Sequence, residues 1–85
     1  MAVKKDYDLI CSEVARLLKE ERERQGASLN SAAQKAGLSR QTITFVEQEL
    51  RNPTLETLLR ITGALGVNLE KIIAQARQLA SSKAG

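Results

Sequence analysis

The sequence predicts a compact all-α domain of five helices, on three observations. Apolar residues recur at spacings of three and four, and no stretch shows the strict alternation of a half-buried strand. Aromatic residues are only 2% of a chain that is 42% hydrophobic, so aliphatic Leu, Ile, Val and Ala must fill the core. That composition suits a small helical bundle better than a sheet sandwich. Capping residues and glycines also punctuate the chain at short intervals, leaving connections of about two to six residues.

The first helix is expected from Tyr7 to about Gln25. Tyr7, Ile10, Cys11, Val14, Leu17 and Leu18 fall on one face, the opposite face is charged, and Gly26 supplies a stop. On this stripe Cys11 is expected to be a buried, inert thiol. Ser28 is a good N-cap for a short helix, Leu29 to Ala36, that ends at Gly37. Ser39 caps the next, Arg40 to about Gln48, with Ile43 and Val46 inward. Asn52-Pro53-Thr54 marks a turn, after which Thr54 caps Leu55 to Leu65 and Gly66 ends that helix. Asn68 caps the last, Leu69 to about Ala80. The two shortest helices are joined through Gly37-Leu38-Ser39, the arrangement of a helix-turn-helix unit over about residues 29–48.

Eighty-five residues make one domain, residues 1–80, with 81–85 expected as a flexible C-terminal tail. The absence of His removes histidine acid/base catalysis and nearly every zinc constellation, so no enzyme activity, catalytic residue, metal or cofactor is expected. A single Cys cannot form an internal disulfide, which points to a reduced, cytoplasmic setting. No apolar run approaches the roughly 18 residues of a membrane span. Acids and bases balance six against six up to Gln25. The whole net charge of +3 lies beyond it, where seven cations face four anions. That excess is compatible with a polyanionic partner.

From Ser28 through Gly37 and Leu38-Ser39-Arg40-Gln41-Thr42-Ile43, the chain resembles the helix-turn-helix of phage-repressor and Cro-like regulators, the XRE family. Glu47, Arg51-Asn52-Pro53-Thr54-Leu55 and Ala64-Leu65-Gly66-Val67 continue the match. The resemblance implies a lambda-repressor-like fold and sequence-specific binding of double-stranded DNA by a stand-alone transcriptional regulator, a repressor or controller. Small Ala33 marks a close approach of the second and third helices, and Arg22 and Glu47 take positions that form an ion pair in related domains. The competing class is a protein-interaction module of the same fold, such as an antitoxin-like partner binder, with weakened DNA binding.

With Ile43, Val46 and Glu47 inward, rotation by about 100° per residue turns Gln41, Thr44, Phe45 and Gln48 outward, with Arg40 at the margin. The resemblance puts this face in the major groove. There Arg pairs with guanine and Gln with adenine, while Thr44 and Phe45 meet thymine methyl groups. Ser28, Asn30, Lys35, Arg51 and Asn52 are the expected phosphate contacts. Three residues depart from the family pattern. Leu29 replaces a frequent glutamine. Glu49 stands where glycine is common, so helix 3 is expected to run on into Leu50. Leu50 in turn replaces a frequent basic residue. A homodimer is expected through the outer face of helix 5, around Ile73, Ala76 and Leu79, so that two recognition helices meet two half-sites.

Overall fold

The computed structural model describes residues 2–84, and side chains over residues 6–83. The helices run α1 Ala2–Arg24, α2 Leu29–Ala36, α3 Arg40–Glu47, α4 Leu55–Leu65 and α5 Leu69–Ala84, with no strand among the described residues. α1 begins five residues earlier than the apolar spacing indicates. The segment before Tyr7 contains neither Gly nor Pro and includes good helix formers, so nothing stops the helix from extending over it.

The internal boundaries follow from caps. Ser28, Ser39 and Thr54 all have extended backbones, and each side-chain oxygen accepts a hydrogen bond from the amide three residues on, at 3.0, 3.1 and 3.1 Å. Each cap contributes about 1 kcal/mol to a helix too short to persist alone.

One core joins all five helices. Val14, Leu17 and Leu18 from α1, Ala33 from α2 and Ile43 and Val46 from α3 meet Ile61, Leu65, Ile72 and Ala76. Leu18 and Ile43 are each only 1% exposed. Full burial of a leucine contributes roughly 1.5–3 kcal/mol, so the inward faces of α1 and α3 hold the domain together. α1 and α5 share the most extensive helix–helix packing. Leu29 packs partly buried against this core, which accounts for an apolar residue at the start of α2.

Three expectations need correction. The dimer stripe on α5 is the first, because Ala76 is 0% exposed and Ile73 and Leu79 pack partly buried against the core. Closing the domain on α1 uses Ala76 entirely and Ile73 and Leu79 in part. The tail is the second: residues 81–84 continue α5 as helix, and Lys83 Nζ lies 2.5 Å from Glu13 Oε2. No helix breaker precedes Gly85, and the ion pair ties the last turn to α1. Cys11 is the third, since it is exposed. It lines an open cavity of about 370 Å³ between α1 and the α3–α4 connection, where nothing covers the thiol.

Glu13 itself is buried, 3% exposed, and takes hydrogen bonds from Arg16 as well as Lys83. Those bonds, Lys83 first and Arg16 second, hold its carboxyl below the usual glutamate range despite the opposing effect of burial. A buried carboxylate with two cations is a satisfied group, not an orphan.

Candidate nucleic-acid interface

The turn between α2 and α3 is set by Gly37, whose φ is +70°. Its amide bonds Gln34 O at 3.3 Å, and the Leu38 amide bonds Ala33 O at 2.9 Å, closing the last carbonyls of α2. A Cβ at Gly37 would also meet Arg60 Nη1 at 3.0 Å. Arg60 reaches over from α4, paired with Glu56 and within 3.4 Å of Ala36 O. The guanidinium tip can give way, so it is the left-handed φ that favours glycine at this turn.

α3 is fixed in rotation by what lies beneath it. Ile43 and Val46 are buried, and Glu47 forms a two-pronged ion pair with Arg22 of α1. Arg22 Nε donates to Glu47 Oε2 at 2.7 Å and Nη2 donates to Oε1 at 2.9 Å, while Nη1 donates to Ala27 O at 2.9 Å. The side chains are only 12% and 8% exposed. The hydrogen bond from the guanidinium to Glu47 raises the Arg22 pKa further, so the arginine stays charged.

The end of α3 differs from the expected continuation into Leu50. The helix stops at Glu47, and Glu49 takes φ +59°, the left-handed conformation. Its amide bonds Val46 O at 3.2 Å and the Leu50 amide bonds Phe45 O at 2.9 Å. These bonds satisfy terminal carbonyls and offset the roughly 1–2 kcal/mol that a left-handed residue with a Cβ costs. Ser12 Oγ donates to Glu49 Oε1 at 2.5 Å, which ties this corner to α1.

With the rotation set, Arg40 and Gln41 are exposed on α3, as is Gln48 at its C-cap, and Thr44 and Phe45 are half-buried. Phe45 is neither a core aromatic nor a free groove contact. The Arg51 guanidinium stacks over its ring, 4.8 Å from the centroid. The ring therefore links the recognition helix to the connection that follows it. Ser28, Asn30, Lys35, Arg51 and Asn52 are all exposed, although the Ser28 oxygen already caps α2. Glu13, Ser12 and Arg60 were missed from sequence. Glu13 was findable, because it lies three residues after Ile10 and four before Leu17, on the buried side of α1. Nothing local to Ser12 or Arg60 signals a partner 37 or 24 residues away.

Two short capped helices, a left-handed glycine turn and a polar exposed second helix define a helix-turn-helix domain. The chain belongs to the helix-turn-helix family HTH_3, whose family model matches residues 18–72. Its fold is also that of known regulators. The wild-type restriction-modification controller protein C.Esp1396I superposes with a TM-score of 0.73 at 26% identity, over 81% of this chain and 90% of that one. The controller protein C.AhdI from Aeromonas hydrophila gives 0.69 at 29%, over 78% and 97%. SinR, described as the master regulator for biofilm formation and solved in complex with DNA, gives 0.65 at 26%, over 71% and 97%. Among curated proteins no sequence matches. Among the described residues no group of three His, Cys, Asp or Glu could hold a metal ion, and no helix is long and apolar enough to cross a membrane.

Proposed function

We infer that this chain is a transcriptional regulator of the repressor or controller type that binds double-stranded DNA in a sequence-specific way. The observation that carries the reading is the build of α3. It is anchored from below by Ile43, Val46 and the Arg22–Glu47 pair, and it presents exposed Arg40 and Gln41 and half-buried Thr44 outward, with Gln48 exposed at its C-cap. An anchored helix of this width fits the major groove, where Arg40 supplies paired donors for guanine and Gln41 and Gln48 supply a donor and acceptor for adenine. Fixed rotation matters because base discrimination requires hydrogen bonds of defined direction.

Arg51 and Asn52, with Ser28, Asn30 and Lys35, supply phosphate contacts on either side. The Phe45 ring preorients the Arg51 guanidinium, so Phe45 acts more through Arg51 than as a base contact. The reading is tested by selecting duplexes from a random pool and measuring retention with and without competitor DNA as salt rises. A regulator of this kind enriches a defined motif, and its affinity falls with salt in proportion to the phosphates neutralised. Retention without motif enrichment, or no retention at low salt, contradicts it.

A further inference from the structure

Glu49 places a carboxylate at the edge of a face that meets a polyanion, two residues from a proposed phosphate contact. Its backbone is locked by the Glu49 amide on Val46 O and the Leu50 amide on Phe45 O, in the left-handed conformation. Only rotation of the side chain is left to choose a partner. Two partners are at hand, because Ser12, Glu49 and Arg51 all line the open cavity between α1 and the α3–α4 connection. The carboxylate takes Ser12, whose Oγ donates to Oε1 at 2.5 Å across 37 positions of sequence. Among the described residues Arg51 is in no ion pair. Its guanidinium lies over the Phe45 ring instead, 4.8 Å from the centroid.

We propose that Ser12 is a positioning residue for DNA binding: by holding the Glu49 carboxylate against α1, it leaves Arg51 on Phe45 and open to phosphate. The inference deepens the regulator reading and rests on it for the use of Arg51. A hydrogen bond from a hydroxyl to a carboxylate and an exposed arginine–carboxylate pair have similar net strength in water. The two arrangements are therefore close in energy, and loss of the hydroxyl hands the carboxylate to Arg51. An arginine already neutralised by its neighbour releases no counterion from the duplex, so one phosphate contact is lost. Neither residue touches a base, and the loss falls on all sequences alike.

Asp8 provides an internal comparison. It lines the same cavity one turn before Ser12 on α1, and the Ser12 hydroxyl bonds Glu49 rather than Asp8. Its carboxylate acts on approaching DNA through charge, with no dependence on Ser12.

Two measurements on the full chain test the inference, the first without DNA. In the free chain the Arg51 side-chain protons, held over the Phe45 ring, should resonate upfield of an unstacked arginine. That displacement should largely vanish in Ser12→Ala and persist in Ser12→Thr, which keeps the hydroxyl. The second measurement is affinity across salt for a duplex selected from a random pool and for an unrelated duplex. Ser12→Ala should bind both severalfold more weakly, with a salt slope shallower by up to about 0.9, while its helical signal and thermal midpoint stay near those of the parent. Adding Glu49→Gln should restore affinity and slope. Asp8→Asn should change affinity by the same factor with or without Ser12→Ala. An unchanged Arg51 resonance in Ser12→Ala, parent-like affinity in that variant, or rescue by Asp8→Asn as complete as by Glu49→Gln overturns the inference and leaves the regulator reading standing. A parent chain that retains no duplex refutes the regulator reading and, with it, the use of Arg51.

Discussion

Replacing Glu47 with alanine leaves the Arg22 guanidinium, 12% exposed, with only the Ala27 carbonyl and the edge of solvent for partners. Stranding one member of a buried pair costs roughly 3–5 kcal/mol, because the remaining charge keeps its desolvation penalty and loses the attraction that balanced it. Here the retained bond to Ala27 and the partial exposure of Arg22 reduce that figure to about 2–3 kcal/mol. In a domain of this size each kcal/mol moves the thermal midpoint by about 4–8 °C, so a drop of at least about 8 °C is expected. Glu47→Gln keeps one acceptor and should lose less. The double variant Arg22→Met, Glu47→Leu removes both charges and should recover much of the loss. Thermal melts followed by circular dichroism read all three. A Glu47→Ala midpoint within about 2 °C of the parent, or a double variant as unstable as the single, would refute the argument that the pair matters through desolvation.

Ala33 is 3% exposed at the contact of α2 with the core, so Ala33→Leu should overpack it and cost about 1–3 kcal/mol in a denaturant titration. Glu13 has a lowered pKa in the folded chain. Its pairing therefore contributes stability above the unfolded glutamate value, and that contribution is lost as the pH falls through the folded value. Acid titration of the fold should show this loss below about pH 4.5, with a smaller one in Lys83→Met, which lacks the stronger of the two hydrogen bonds to Glu13. Arg51→Ala should weaken binding to all duplexes alike and reduce the salt slope by about 0.9; a loss confined to one sequence would make Arg51 a base contact instead.

The sequence made the element boundaries legible because they rest on local chemistry. Ser28, Ser39 and Thr54 bond amides three residues away, and Gly37 and Gly66 take positive φ where their helices end. The inward set of α3 was equally readable from a spacing of three between Ile43 and Val46. What escaped depends on how helices meet. Cys11 shares the apolar stripe of α1, yet its exposure follows from where the α3–α4 connection leaves a cavity. Glu49 was expected to continue its helix on intrinsic preference, and amides closing on Phe45 and Val46 override that preference. The stripe on α5 had two uses open to it, closing the domain or joining two domains, and spacing alone does not distinguish them. The apolar residues of α4 pose the same ambiguity: Ile61 and Leu65 take the core, which leaves Leu55 and Leu59 outside. The Arg22–Glu47 pairing came from the family resemblance, since no periodicity relates residues 25 apart.

The central claim is that α3 is the surface that reads DNA. Its most direct test is the change in backbone amide resonances when a selected duplex is added to the chain, compared with the same addition to the Arg40→Ala, Gln41→Ala double variant. The largest shifts should fall on Arg40 through Gln48 and on Arg51 and Asn52, with the outer face of α5 quiet. The double variant should keep its fold and lose about 1–3 kcal/mol of specific affinity for each base contact removed. Shifts concentrated on α1 or α5, or full specific affinity in the double variant, would contradict that claim.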